Sequence, residues 1–256
     1  MGLPVKTYIH SSSAPWLVLV NGLFASKCSW SECLEYFENF NILTYDAKGQ
    51  GEGPTLSKPY SLDEQVDDLK KVLEENNLKR VSLLGLSNGG RVALKFSSLY
   101  PEQVQSVVAC DTYAEVTPIL KLKLESWLKA QKNGGAVHRF DVAAPWVWGE
   151  TILKTNFNLV QKYRDLAENS NEDNSEFLIK GALSGDINLD SIIAPVHFVV
   201  GEEDLLTPIT HHKKLQKMVK NAELTVVPGG HASVLENPIS IRNSIMPFLR
   251  RQYELD

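Results

Sequence analysis

Short apolar runs, spaced by amphipathic stretches, constrain this chain more than any other feature. "WLVLV" (16–20), "NILTY" (41–45), "RVSLLG" (80–85) and "VQSVVAC" (104–110) each predict a strand. Their apolar character is nearly continuous, so both faces must be covered, which suits a parallel sheet. Between them, Leu62, Val66, Leu69 and Leu73 recur at helical spacing, and Ser61 with Glu64 forms a capping box at the start of that helix. A second helix over 88–99 carries Val92, Phe96 and Leu99 along one side and stops at Pro101. "APVHFVVG" (194–201) and "AELTVV" (222–227) add two strands. Thr207 is the expected N-cap of the helix between them, with Pro208 at its first position. A closing helix is expected over 238–252. Alternating strands and helices imply a doubly wound, mostly parallel α/β sheet.

From about Tyr113 to Asp190 the alternation stops. Leu120, Leu124, Trp127 and Leu128 mark one helix, and "DVAAPWVWGETILKTNF" marks a further segment. The expected division is therefore a core of 1–112 and 191–256, with a helical insertion at 113–190 lying over the strand ends. Trp127, Trp146, Trp148, Phe140 and Phe157 make the insertion aromatic. Packing onto the core is their ordinary role, but some must line a pocket if the insertion roofs a site.

"LLGLSNGGRV" (83–92) places Ser87 between Gly85 and Gly89, with a strand running in and a helix running out. A strand-to-helix turn this tight leaves no room for a Cβ at either glycine, and it pushes the serine hydroxyl out at the carboxyl end of the strand. Ligands bind at that end of open α/β sheets. The pattern G-x-S-x-G in this context resembles the α/β-hydrolase family. That resemblance implies a helical cap inserted after the sixth strand and a nucleophile, acid and histidine in the order Ser, Asp, His. "GEEDLLTP" follows a predicted strand and resembles the family's acid loop, which places Asp204. "PGGHASVLENP" follows the next strand and resembles its histidine loop, which places His231. In "LVLVNGLFASKCSW" Asn21 stands where the family usually has histidine, while Gly22 and Trp30 remain. The oxyanion donors implied are the backbone N–H of Leu23 or Phe24 together with that of Asn88. "YDAKGQGEGP" resembles a structural turn of the family, with Lys48 for arginine and Gly53 for serine. Pro145, Trp146 and Gly149 resemble cap helices of its small-ester and lactone hydrolases. Trp127, Trp146 and Trp148 are the expected substrate-binding residues.

Other candidates read more plainly. His10 falls on an early strand, His138 in the insertion, His197 within a strand, and His211 and His212 on a helix. The last two point about 100° apart and cannot chelate one metal. Asp111, at the end of the strand 104–110, rivals Asp204 as the acid. Glu202 and Glu203 read as solvated neighbours, and Asp46 as a turn acceptor. Cys28, Cys33 and Cys110 have no metal or redox spacing. With no export signal in "MGLPVKTYIHSSS", they suggest reduced thiols in a cytoplasmic protein. Lys6 stands where a myristoylation signal wants Ser or Thr. No apolar run is long enough to cross a bilayer. The net charge of −5 argues against a nucleic-acid partner, and Lys121, Lys123, Lys129 and Lys132 read as a solvated helix face. Nothing beyond the insertion marks an apolar patch for a partner chain.

The resemblance implies a serine hydrolase acting on a small-molecule acyl substrate. A small or medium ester, thioester or lactone would be cleaved through an acyl-enzyme, with no metal or organic cofactor required. Carbon–carbon bond hydrolysis or acyl transfer on the same three residues, or a silent ligand-binding member of the fold, are the alternatives. Serine at 87 argues against dehalogenase and epoxide-hydrolase chemistry, which use a carboxylate nucleophile in this fold.

Overall fold

Residues 17, 18, 19, 42, 43, 83, 84, 107, 108, 198 and 199 are all essentially inaccessible to solvent, and their alternation divides the interior into two layers. The structure is a computed structural model that describes residues 2–168 and 174–255. Seven strands are present among them: β1 (Val5–Tyr8), β2 (Trp16–Val20), β3 (Asn41–Tyr45), β4 (Val81–Leu86), β5 (Val104–Cys110), β6 (Val196–Gly201) and β7 (Ala222–Val227). They form one sheet in the order β1-β3-β2-β4-β5-β6-β7, parallel throughout except that β1 runs antiparallel to β3. Val18, Leu43, Leu83, Val107 and Phe198 point to one face. Leu17, Ile42, Leu84, Val108 and Val199 point to the other. Burying each such side chain is worth ~1.5–3 kcal/mol, so the two-residue period fixes the sheet's register.

Helices cover both faces. α1 (Leu62–Glu75) begins with the capping box as read from sequence: Glu64 N donates to Ser61 Oγ at 3.2 Å and Ser61 N donates to Glu64 Oε2 at 3.1 Å. With α2 (Asn88–Leu99) it covers the first face through Val66, Leu69, Leu73, Val92 and Phe96. α9 (Pro238–Arg251) covers the second through Ile241, Ile245, Phe248 and Leu249. α7 (Ile209–Met218) joins β6 to β7, and the short α8 (Ser233–Glu236) follows β7.

Between β5 and β6 the chain runs through α3 (Pro118–Val147), α4 (Glu150–Thr155), α5 (Phe157–Glu168) and α6 (Ser175–Ala182). This insertion follows the fifth strand in chain order rather than a sixth, because only one short strand precedes β2. α3 bends at Gly134–Gly135, where Gly135 takes φ +73°. The segment expected as one piece at 141–157 is divided among the end of α3, α4 and the start of α5. His10 lies beyond the end of β1, exposed in a bend, not on a strand. Among the described residues no helix is long and apolar enough to cross a membrane.

Candidate active site

Ser87 alone connects β4 to α2, and it does so at φ 55°, ψ −119°. A serine held there stores ~1–3 kcal/mol of strain, so its surroundings must hold it. Ser87 N donates to Cys110 O at 2.8 Å, and Ser87 O accepts from Thr112 Oγ1 at 2.7 Å and from Gly90 N at 3.0 Å. A Cβ on Gly89 would stand 2.1 Å from Val20 O, and one on Gly85 would stand 2.3 Å from Gly89 O. The two glycines thus admit the strand and helix backbones to contact.

β4, β6 and β7 are parallel, so the loops that follow them share one edge of the sheet. That edge brings Ser87, Asp204 and His231 together. His231 Nε2 is 2.8 Å from Ser87 Oγ, and His231 Nδ1 is 3.0 Å from Asp204 Oδ2. Asp204 is 3% exposed. Burial alone would raise its pKa. The charge and hydrogen bond of His231, with the N–H and hydroxyl of Thr207, outweigh burial and hold the carboxyl below its ordinary value. Asp204 Oδ1 accepts from Leu206 N and Thr207 N, both at 2.8 Å, and Oδ2 accepts from Thr207 Oγ1 at 2.8 Å.

Thr207 therefore does not cap α7. The N-cap is Pro208, and the threonine hydroxyl is committed to the carboxylate, lying also 3.1 Å from His231 Nδ1. Its signal in the sequence was an aspartate with a threonine three residues on, a spacing that favours side-chain capture of backbone N–H groups.

Asp111 occupies a different place. Its backbone has φ 45° and its side chain is fully buried. Oδ1 accepts from Gly201 N at 2.8 Å and Oδ2 accepts from Ser233 Oγ at 2.5 Å. It ties the end of β6 to the start of α8, on either side of Asp204 and His231 in the chain. Burial, with the charge of Asp204 nearby, pushes its pKa well up. His212 Nε2 accepts from Thr112 N at 2.9 Å, and burial lowers its pKa to about 4.

The loop after β2 passes directly beside the serine. A Cβ on Gly22 would stand 3.2 Å from Leu86 O and 3.4 Å from Ser87 Cβ. Asn21 accounts for its own presence: Nδ2 donates to Tyr45 O at 2.8 Å and Oδ1 accepts from Trp30 Nε1 at 2.6 Å. Leu23 and Phe24 both line the cavity above Ser87, and Phe24 has φ 62°. Asn88 is the first residue of α2, so its N–H has no intrahelical acceptor. The amide of its side chain donates to Gln65 Oε1 at 2.7 Å. Asp46 accepts from Lys27 N, Lys27 Nζ and Glu52 N, and Lys48 pairs with Asp68 at 2.7 Å, so the 45–54 turn is structural.

A cavity of about 510 Å³ opens over Ser87 and His231, walled by apolar side chains of both the core and residues 113–190. Trp127, Phe140 and Trp148 line it. Arg139 is in the wall too, its guanidinium 3.4 Å above the Phe24 ring. Trp146 is not in the wall. It lies 36% exposed, with Lys123 Nζ 4.7 Å from its ring centroid. Two residues along a helix are about 200° apart, so Trp146 and Trp148 cannot face the same way. Phe157 is exposed. Glu202 is exposed as expected, but Glu203 accepts from Thr151 and is no free solvated neighbour.

Known proteins share this fold. A relative from Pseudomonas savastanoi pv. phaseolicola, "Putative carbamate hydrolase RutD", is 26% identical over 94% of this chain and 96% of its own length. The 3-oxoadipate enol-lactonase 2 of Acinetobacter baylyi is 22% identical over 93% of this chain and 89% of its own. The crystal structure of MGS-M2, an alpha/beta hydrolase enzyme from a Medee basin deep-sea metagenome library, superposes with a TM-score of 0.90. It is 27% identical, over 96% of this chain and 94% of that one. The alpha/beta hydrolase fold family itself matches residues 15–143, just over half of the chain. By that match the chain belongs to the alpha/beta hydrolase fold family.

Proposed function

We propose that this enzyme is a serine hydrolase that cleaves a small or medium carboxylic ester, thioester or lactone through an acyl-enzyme on Ser87. The observation that carries the reading is one imidazole bridging two partners. His231 Nε2 lies 2.8 Å from the Ser87 hydroxyl while Nδ1 faces the Asp204 carboxylate at 3.0 Å. His231 takes the serine proton as Oγ attacks the acyl carbon. Asp204 holds the tautomer and stabilises the imidazolium. The N–H groups of Leu23 or Phe24 and of Asn88 receive the oxyanion, each donor worth ~3–4 kcal/mol of barrier. The imidazolium returns its proton to the leaving group. It then activates a water that releases the acid. Residues 113–190 serve as a cap over a core of 1–112 and 191–256. Trp127 and Trp148 hold the substrate against the serine.

The carbamate and enol-lactone named for the relatives, like simple esters, react by addition to an acyl carbon. That supports the reaction class. The largely apolar cavity of about 510 Å³ favours a small or medium acyl substrate over a polymer. The test is a panel of activated esters, thioesters and lactones together with a fluorophosphonate probe. Ser87→Ala is expected to lose the label and at least ~10³-fold in kcat. A loss below about tenfold would end the assignment.

A further inference from the structure

The turn from α3 into α4 is held on the core by two glutamates, and neither touches Ser87 or the imidazole. Ala232 N, one residue after His231, donates to Val147 O at 3.2 Å. The Glu236 carboxylate accepts from Gly149 N at 3.2 and 3.3 Å and from Gly230 N, one residue before His231, at 3.0 Å. Glu203, one residue before Asp204, accepts from Thr151 N at 3.0 Å and from Thr151 Oγ1 at 2.7 Å. Residues 147–151 are thus bonded at once to the acid loop and to the histidine loop. Space is short there: a Cβ on Gly149 would stand 2.3 Å from Glu203 Oε2 and 2.9 Å from both Glu236 Oε2 and Gly230 N.

Trp148 lies within this turn, 5% exposed, packed on Ala232, with its ring centroid 5.4 Å from that of Tyr163. It is also cavity wall. Two partly buried carboxylates beside each other and beside Asp204 repel, and burial raises the pKa of Glu236. Such groups persist only where donors meet them, and here the donors belong to the turn.

We propose that Glu203 and Glu236 are positioning residues for substrate choice: by docking residues 147–151 onto the two loops that carry Asp204 and His231, they fix Trp148 as the wall beside Ser87 and limit the acyl group the site accepts. The proposal rests on the reading of Ser87 as nucleophile. Releasing the dock frees Trp148 and relaxes the limit, so the effect grows with acyl length and falls on KM. A merely structural role would lower stability and depress every substrate alike.

The experiment uses Glu203→Ala, Glu236→Ala and the double variant, each removing the acceptor oxygens, with p-nitrophenyl esters from acetate to octanoate. Rates are normalised to fluorophosphonate-labelled enzyme, and Ser87→Ala is the blank. The double variant is expected to keep kcat on acetate within about twofold and to raise the octanoate-to-acetate ratio of kcat/KM at least fivefold, mainly through KM. Amide hydrogen exchange across 147–151 is expected to speed at least ~tenfold while that of α9 is unchanged. An unchanged chain-length ratio in labelled, active protein, or an equal fall on all esters that follows the melting temperature, overturns the proposal. Unchanged exchange across the turn overturns it as well. A wild type that neither takes the probe nor turns over any ester instead removes the nucleophile reading, and substrate choice with it; amide exchange then decides the docking alone.

Discussion

Thr207 stands between two side chains that a helix cap would never meet. Its hydroxyl donates to Asp204 Oδ2, the same oxygen that faces His231 Nδ1, and lies 3.1 Å from that nitrogen. Thr207→Val keeps the shape and removes the donor. It is expected to lower kcat about tenfold with little change in KM, since a hydrogen bond to a charged group is worth ~1.5–3 kcal/mol. Steady-state kinetics on a p-nitrophenyl ester check this, and an unchanged kcat would reduce Thr207 to a loop residue. The same assay separates the two aspartates. Asp204→Asn should cost about 10³–10⁴-fold in kcat, because the amide cannot hold the productive tautomer. Asp111→Asn should cost less than about tenfold in kcat and appear mainly as lost stability, since its oxygens meet Gly201 N and Ser233 Oγ. If Asp111→Asn were the more damaging to kcat, the acid would have to be reassigned.

The β4–α2 junction depends on backbones in contact. Gly89→Ala is therefore expected to abolish the soluble, cooperatively melting protein, because its Cβ would meet carbonyl oxygens of Val20 at 2.1 Å and of Asn21 at 2.6 Å, neither able to retreat within a sheet. Circular dichroism melts decide it; a variant melting within a few degrees of wild type would mean the junction has slack. These elements were legible because period and punctuation are local. Continuous apolar runs marked β2 to β7, Ser61 with Glu64 marked the start of α1, and the two glycines around Ser87 marked the turn. Order along the chain then put Asp204 and His231 at the same sheet edge. What stayed hidden depends on partners far away in sequence. The docking of Glu203 on Thr151 spans 52 residues and that of Glu236 on Gly149 spans 87. No periodicity encodes either, so Glu203 read as a solvated neighbour and Glu236 drew no reading at all. Trp146 was misplaced because two tryptophans close in sequence were read without the helix rotation between them. The bend at Gly134–Gly135 did carry a local signal, two adjacent glycines within a helical stretch, which the apolar residues on both halves of α3 masked.

Acid acts on the folded chain through its buried imidazoles. His212 is fully buried and accepts from Thr112 N, so protonation at Nε2 would set two N–H groups against each other. Its pKa is depressed to about 4, chiefly by burial. The stability it contributes is present above the unfolded value of ~6.5 and is lost as pH falls toward about 4, on the order of 3 kcal/mol in all. Asp111 and Glu236 act with the opposite sign, because burial raises both. The informative measurement is therefore a difference. The fall in unfolding free energy from about pH 7 to pH 4.5 should be shallower in His212→Gln than in wild type; parallel curves would contradict the assignment. Stability and chemistry also mature at different times. The Ser87–His231 hydrogen bond joins residues 144 positions apart, and its acceptor arrives only with the loop after β7. A nascent chain can close its serine turn before the proton acceptor for that hydroxyl, His231, has been made. Turnover therefore waits on a loop that is synthesised after all seven described strands, however early the serine turn itself closes.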